Sequence, residues 1–456
     1  MIKKEFDLIV IGTGAAGTTA AEKCSKAGFT VAMIDSRPFG GTCVLRGCDP
    51  KKVLVGAAEI YDWTDRMLGK GIEHPAKILW PELMAFKTTF VEHVTENMEK
   101  RLAESGIEAF HGVAAFKSEN QIQVGDELLT GKHILIATGA KPMPLALKGQ
   151  ENLFTSDDFL NLSVLPDEII FIGGGFISFE FAHIAARAGS KVHILHNDGQ
   201  VLNKFDAEQV DILVNRSKEI GINIHLNVKI DSIDKLEHKY NAAEGYVVKG
   251  TQEGKAVAFE AGIVIHGAGR IPNLEELNLE AGNVMQDKRG VLVNEYLQSI
   301  SNPKVYAAGD AASTKGLPLT PIAAMDSHTV ASNLINGNHL TSDYSVIPTV
   351  IYTIPKLSSV GLTEEKAAEL GYDCYTNRMN MEDWYTYRRT NEKYAMAKII
   401  IDRKTKHILG AHLISDEADV LINYLAIAMK FDLTTEDLKK MIFAYPSSAS
   451  DLPYLL

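Results

Sequence analysis

Cysteine is scarce in this chain of 456 residues: Cys24, Cys43, Cys48 and Cys374 are the whole supply. Thiols so few and so unevenly spaced exclude a secreted disulfide scaffold, imply a reducing compartment, here taken as cytoplasmic, and leave catalysis as the role of any disulfide that forms. Positive charge is also in deficit. A formal net charge of −12 argues against a nucleic-acid or anionic-membrane partner. No apolar run reaches the roughly 18 residues of a membrane span, so a soluble protein is expected. The opening MIKKEFDLIVIG carries Asp7 inside a short apolar run that ends in a glycine turn, which reads as a first strand and not a signal peptide. Low-complexity linkers are missing too. At about 100 to 200 residues per domain, the length suggests three domains.

What is present begins with residues 6–11, FDLIVI, a continuous apolar run suited to a buried parallel strand. It runs into Gly12-Thr13-Gly14-Ala15-Ala16-Gly17 and a helical pattern to about Ala27. This is G-x-G-x-x-G in a strand-turn-helix setting, where glycines allow the tight turn, the approach of backbone amides to a pyrophosphate and close helix packing. A second strand, Thr30 to Ile34, ends at Asp35, an acid placed to take a ribose hydroxyl. The pattern recurs once: Glu168 to Ile172 leads into Gly173-Gly174-Gly175-Phe176-Ile177-Ser178 and a helix to about Arg187. Two nucleotide folds imply two nucleotides. In the second copy, Ser178 is small enough for helix-strand packing, and the strand Lys191 to Leu195 ends at His196-Asn197 without an acid. Between the copies, residues 53–105 read as mostly helical, with Leu83, Phe86, Phe90, Val94 and Met98 as a core-facing stripe.

Just after the first nucleotide unit stands Gly40-Gly41-Thr42-Cys43-Val44-Leu45-Arg46-Gly47-Cys48-Asp49-Pro50-Lys51-Lys52. This string resembles the active-site signature of the pyridine nucleotide-disulfide oxidoreductases, with Leu45 where the family usually has Asn. Further resemblances follow in family order: the ATG stretch at Ala137-Thr138-Gly139, GAGRIPN from Gly267 to Asn273, a strand ending in Gly309-Asp310, LTPIAA from Leu319, and a dimer-interface pattern over about 343–456. The implied fold is α/β, with two Rossmann-like FAD- and NAD(P)-binding domains and a C-terminal α+β dimerisation domain. Expected boundaries are 1–145 and 271–342 for the FAD and central parts, 146–270 for the NAD(P) domain and 343–456 for the interface domain.

The resemblance implies chemistry as well. Hydride from a nicotinamide passes to flavin, then Cys48 receives the electron pair and Cys43 becomes the outward thiolate that meets the acceptor. Lys52 matches the family lysine beside the flavin and Glu180 its paired acid. For FAD, the implied contacts are Gly12, Gly14, Ala16, Gly17, Asp35, Gly41, Thr42, Lys52, Gly112, Thr138, Gly139, Asp310 and Thr320. For the nicotinamide nucleotide they are Gly173, Gly175, Phe176 as a cover over the pocket, Ile177, His196 and Gly269. No resident metal site is implied. With no acid after the second strand, and with His196 and Lys204 as nearby sources of positive charge, NADPH is favoured over NADH, although His196 also reads as a solvent-facing strand end. A helix from about Thr42 is expected to lower the thiol pKa, and a helix start at Ala311 and Ala312 to face a phosphate.

One departure bears on substrate. Where thiol-disulfide relatives carry His-Pro, with the His supplied by a second subunit and paired with Glu, this chain has Tyr445-Pro446, with Ser450 or Asp451 in place of the Glu. A phenol near pKa 10 is a weak base at neutral pH. Mercuric reductases resemble this chain in having Tyr there, yet they add a C-terminal cysteine pair, and no cysteine follows Cys374 here. The expectation is a homodimeric flavin enzyme with a small-molecule acceptor: a disulfide, a metal ion or a quinone. A thiol-independent transhydrogenase or quinone reductase, and a non-catalytic redox sensor, are the rival readings.

Overall fold

The computed structural model describes residues 2–237 and 244–456. The chain divides into two compact units, one formed by 1–51, 86–143 and 270–344, the other by 52–85, 144–269 and 345–456.

In the first unit the apolar opening becomes the strand Ile2–Ile11, paired in parallel with Val31–Asp35 on one side and Glu127–Ile136 on the other. Ile107–His111 extends the sheet beyond Val31–Asp35, and Val305–Ala307 joins beyond Ile134 to Ile136, both in parallel. The antiparallel strands Gln121–Val124 and Ala114–Ser118 complete seven strands. Alternation explains the unbroken apolar run: Ile9, Ile11, Ala32 and Ile34 face one core cluster, whereas Leu8, Val10, Val31 and Met33 face another. Both faces are covered, so Leu8, Ile9 and Val10 are fully buried, each contributing about 1.5–3 kcal/mol of hydrophobic stabilisation. Cys24 belongs to the second cluster, and burial pushes its thiol up to about 12.

The second unit repeats the device with a four-stranded parallel sheet ordered Ile222–His225, Lys191–Leu195, Glu168–Ile172, Ile263–His266. A three-stranded antiparallel sheet, Val228–Glu237, Glu244–Gln252 and Lys255–Ala261, lies in the same unit. Its C-terminal part is a five-stranded antiparallel sheet ordered Thr349–Ile351, Lys356–Gly361, Ile408–Ser415, Met396–Asp402, Cys374–Asn380. The helix Ala418–Lys430 packs on it through Leu421, Ile422 and Leu425. A mixed fold with two Rossmann-like sheets and an α+β C-terminal part was expected, and this is what forms. Among the described residues no helix is long and apolar enough to cross a membrane.

The stripe expected over residues 83–98 does not hold. The helix Trp80–Thr88 ends before Val94–Glu104 begins, so the helical phase is not carried across. Met84 takes the buried position, while Phe86 and Phe90 are exposed and pack edge-to-face on each other, with centroids 5.1 Å apart.

Candidate active site

The first glycine turn is shaped by contacts a side chain would destroy. Gly12 has φ +111°, and a Cβ there would lie 2.2 Å from the carbonyl oxygen of Ala137. The turn is locked by Asp35, whose Oδ2 accepts from Thr13 N–H at 2.9 Å and from Thr13 Oγ1 at 2.7 Å. Its Oδ1 takes the N–H of Arg37 at 3.0 Å. Thr13 Oγ1 in turn accepts from Gly40 N–H at 3.1 Å, tying the turn to the start of the cysteine stretch. Gly112 N–H bonds the Asp35 carbonyl, and the Gly139 carbonyl accepts from Asn273 N–H. Gly14 and Gly41 stand almost back to back, and Ala16 faces Gly309. Sequence reasoning missed Thr13 as the hub of this loop, although a hydroxyl inside G-x-G next to a strand-end acid was a usable signal.

The cysteines do not share one helix. Gly41–Arg46 forms a short helix holding Thr42 and Cys43, Gly47 breaks it with φ −147° and ψ −112°, and a second helix, Cys48–Arg66, starts at Cys48. The longer run of aligned amides therefore opens at Cys48, the reverse of the arrangement expected for a helix from Thr42. The two residues are free thiols, Cys43 half-buried and Cys48 exposed. They interact: a hydrogen bond from Cys43 lowers Cys48 to about 6, with Thr320 and Lys51 assisting, while burial and Asp49 oppose. The same bond, then burial, raises Cys43 well above the thiol range. Thr320 Oγ1 lies 3.7 Å from Cys48 Sγ, at the start of the helix Thr320–Asn336. A thiol that donates to a neighbouring sulfur favours the thiolate form of that neighbour, the relation a dithiol needs for exchange chemistry.

Residues expected to hold FAD pass a simple fit test. Gly12 leaves a cradle that a Cβ would fill, Thr138 Oγ1 is buried without a partner among the described residues, and burial raises the Asp310 carboxyl against the opposing charge of Arg270. The expected helix start at Ala311 and Ala312 is absent. Gly309–Ala311 makes one 3₁₀ turn, Ala312–Ser313 pairs as a strand, and the helix begins only at Thr320. Ala312 is committed to pairing with Gly290–Leu292, which precludes a helix there. Gly309 N–H donates to the buried Asp326 at 3.2 Å, and Asp326 also accepts from Ser342 at 2.9 Å and Tyr344 at 2.6 Å. Asp326 was not singled out from sequence.

In the second unit, Gly173 has φ +105°, and a Cβ there would lie 2.6 Å from Ala268 Cα. Ser178 is fully buried and faces Gly267, as close helix-strand packing requires. Phe176 opens the helix Phe176–Arg187 and is 51% exposed, which suits a cover residue; Ile177 follows half-buried, and Gly269 sits at φ +113°. His196 is engaged otherwise than expected. Its Nδ1 accepts from Gly174 N–H at 3.1 Å and its Nε2 donates to the Gln200 carbonyl at 3.1 Å. A neutral ring protonated on Nε2 satisfies both bonds, so His196 acts as a loop brace, and Lys204 is the exposed cation nearby.

Lys52 and Glu180 both meet Tyr352. The ammonium lies 4.1 Å from the centroid of the Tyr352 ring and 3.6 Å from Glu59, whereas Glu180 accepts the Tyr352 N–H at 2.8 Å. Tyr445 is 80% exposed. Ser450 turns to the Ser447 carbonyl within its own segment, whereas Asp451 accepts from Thr386 of the helix Tyr385–Arg388 and keeps its Oδ2 buried with no partner among the described residues.

Geometry and sequence patterns define a class, and the comparisons agree. The chain matches the pyridine nucleotide-disulphide oxidoreductases over residues 6–327 and their dimerisation domain over 347–454. It belongs to this family and is an FAD-dependent, pyridine nucleotide-linked disulfide oxidoreductase. Among particular proteins, an uncharacterized 19.7 kDa protein in a mercuric resistance operon of Staphylococcus aureus is 56% identical over 180 residues, 40% of this chain and all of that relative. Glutathione reductase of Burkholderia cepacia is 32% identical, covering 99% of this chain and 98% of the relative. Mercuric reductase of Lysinibacillus sphaericus is also 32% identical, covering 98% and 81%. A Cu(II) complex of the HOCl-induced flavoprotein disulfide reductase RclA from Escherichia coli superposes with a TM-score of 0.87 at 28% identity, covering 99% of each chain.

Proposed function

We propose that this chain is a homodimeric NADPH oxidoreductase whose Cys43–Cys48 pair delivers electrons to a thiophilic metal ion. The observation that carries the reading is the placement of two free thiols, Cys43 half-buried in the short helix and Cys48 exposed at the head of the longer one, where the hydrogen bond from Cys43 favours the thiolate form of Cys48. Bound FAD supplies the conversion of a two-electron hydride into reducing equivalents for sulfur. Gly12, Gly14, Ala16, Gly17, Asp35, Gly41, Thr42, Gly112, Thr138, Gly139, Asp310 and Thr320 are its proposed contacts, with Lys52 beside the ring. Gly173, Gly175, Phe176, Ile177 and Gly269 are proposed for the nicotinamide nucleotide. NADPH is favoured because the second strand ends without the acid that would repel a 2′-phosphate. The division into FAD, NAD(P), central and interface segments at about residues 145, 270 and 342 belongs to the same reading.

The proton balance supports a metal acceptor. One hydride equivalent reduces one Hg(II) to the element, or two Cu(II) to Cu(I), releasing NADP⁺ and one proton. No proton has to reach the product. Reduction of a disulfide instead needs a proton for each departing thiolate, and Tyr445 is a weak supplier of one at neutral pH. The mercuric reductase relative and the Cu(II)-bound structural neighbour point the same way. Tyr445 acts beside the dithiol of the partner subunit in this reading, which is why a homodimer is part of it.

The test is anaerobic titration with NADH and NADPH, following the long-wavelength thiolate-to-flavin band, then an acceptor panel of Hg(II), Cu(II), glutathione disulfide and a quinone. Metal-ion reduction that is lost in Cys43→Ser supports the proposal. Unchanged turnover of every acceptor in that variant overturns it in favour of a thiol-independent enzyme, and glutathione disulfide as the preferred acceptor would make the chain a disulfide reductase.

A further inference from the structure

Lys52 is the first residue of the second unit, and Glu59, Glu180, Tyr352, Lys356 and Asp419 belong to that unit as well. Its ammonium is half-exposed and stands over the Tyr352 ring at 4.1 Å. Glu59, two turns further along the same helix, is 3.6 Å away. That carboxylate is shared. Lys356, on the strand Lys356–Gly361, lies 2.9 Å from Glu59, 3.5 Å from Asp419 of the helix Ala418–Lys430, and donates to the Asp416 carbonyl at 2.5 Å. Tyr352 is fixed from behind, because its N–H is held by the buried Glu180 of the helix Phe176–Arg187. Two cations therefore share one carboxylate, and the less buried of them has an aromatic face as its second support.

We propose that Tyr352 and Glu59 are positioning residues for Lys52, the ring face and the shared carboxylate together holding its ammonium in place, and that Glu180 acts on Lys52 through Tyr352. The inference rests on the proposed place of Lys52 beside the flavin. A cation over an aromatic face is stabilised with little desolvation of the carboxylate type, which suits a group that must stay charged yet half-exposed. Burial lowers the Lys52 pKa and the Lys356 charge lowers it further, while Glu59 and Asp419 raise it. The supports thus offset a real tendency to lose the proton. A positive charge fixed at this point stabilises negative charge arriving at a bound isoalloxazine.

The experiment reads Lys52 directly. Trace acetylation of the FAD-loaded protein across pH 7 to 11, with peptide mass spectrometry, gives the midpoint at which Lys52 becomes nucleophilic. In Tyr352→Leu the midpoint falls by ~0.5–1 pH unit, the size expected for an exposed to half-buried cation–π contact. Tyr352→Phe restores it, and Glu59→Gln lowers it by a similar amount. The alkaline limb of flavin reduction by NADPH moves down with it. An unchanged Lys52 midpoint in Tyr352→Leu overturns the proposal; if that variant does not fold, an unchanged midpoint in Glu59→Gln does so. Failure here is separable from failure of the functional reading. Metal-ion reduction that is independent of Cys43 refutes the latter and leaves the Lys52 midpoints where they are.

Discussion

Single side chains in this protein carry charge states set by one neighbour. Cys48 is the clearest, because its pKa of about 6 depends first on the hydrogen bond from Cys43. With Cys43 raised well above its ordinary value, only Cys48 titrates near neutral pH. Iodoacetamide labelling of the reduced protein should therefore give a midpoint near 6 for Cys48, and in Cys43→Ala it should move up towards the ordinary thiol value near 8.5. The sign for stability follows from a depressed acid: the contribution is present above the unfolded thiol pKa and is lost as pH falls through about 6. Glu392 behaves oppositely. Burial, then the Asp416 charge, push it up to about 8, while Asp416 N–H donates to its Oε1 at 2.7 Å. Arg66, which is paired with Asp416, opposes that rise only in part. A raised acid stabilises the fold below its unfolded pKa, and that contribution is lost as pH rises towards 8. Because Cys48 contributes with the opposite sign above about 6, urea denaturation should show this decline, on the order of 1 kcal/mol per pH unit, most clearly between about 5 and 6. Glu392→Gln, which retains the acceptor for Asp416 N–H, should flatten that decline; an equal slope in the variant would refute the assignment.

At the scale of elements, the strand-turn-helix unit is where sequence and structure coincide most closely. Gly12→Ala would force a Cβ to 2.2 Å from a backbone oxygen at a positive φ. The expected result is a loss of about 2 kcal/mol or more and a protein that purifies without bound flavin, read by its absorbance. This unit was legible because parallel strands buried on both faces leave continuous apolar runs, and glycines mark the turns that admit no side chain. The strands Glu168–Ile172 and Lys191–Leu195 were read at their observed bounds for the same reason. Elements whose form depends on distant pairing were not legible. Ala312 is a strand residue because Gly290–Leu292 lies beside it, although its local sequence suits a helix. Phe86 and Phe90 keep helical spacing, but the helix stops between them at Thr88. The break at Gly47, which puts Cys48 and not Cys43 at the head of the longer helix, was visible as a glycine without its consequence being drawn. Among site residues, the motif pattern found Lys52 and Glu180 but not Tyr352, which meets both. An aromatic in a strand run reads as core, and only the three-dimensional structure shows which face a cation uses.

At the scale of the whole molecule, the question is which acceptor the assembled protein serves. The family's dimerisation domain covers residues 347–454, so Tyr445 belongs to the part of the chain that pairs subunits. The same C-terminal part leaves large apolar side chains uncovered on one chain, Met441, Ile442 and Phe431 being 58%, 97% and 71% exposed, as association through this part would require. Sedimentation equilibrium should give about twice the chain mass. If Tyr445 stands by the dithiol of the partner subunit, its identity selects between acceptors that need a proton and those that do not. An imidazole titrates near pH 6.5 and exchanges protons at neutral pH; well-placed acid-base groups contribute roughly 10²–10⁴-fold to rate. The full gain is not expected here, because Ser450, bonded to Ser447, carries no carboxylate to orient a new imidazole, and Asp451 is held at Thr386. Tyr445→His should nevertheless raise turnover of glutathione disulfide by ~10-fold or more, with Hg(II) or Cu(II) reduction little altered, since the metal product carries no proton from the protein. Parallel gains for both acceptors would mean that residue 445 acts on access to the dithiol, and no gain for the disulfide would mean that the side chain does not reach the reacting sulfur.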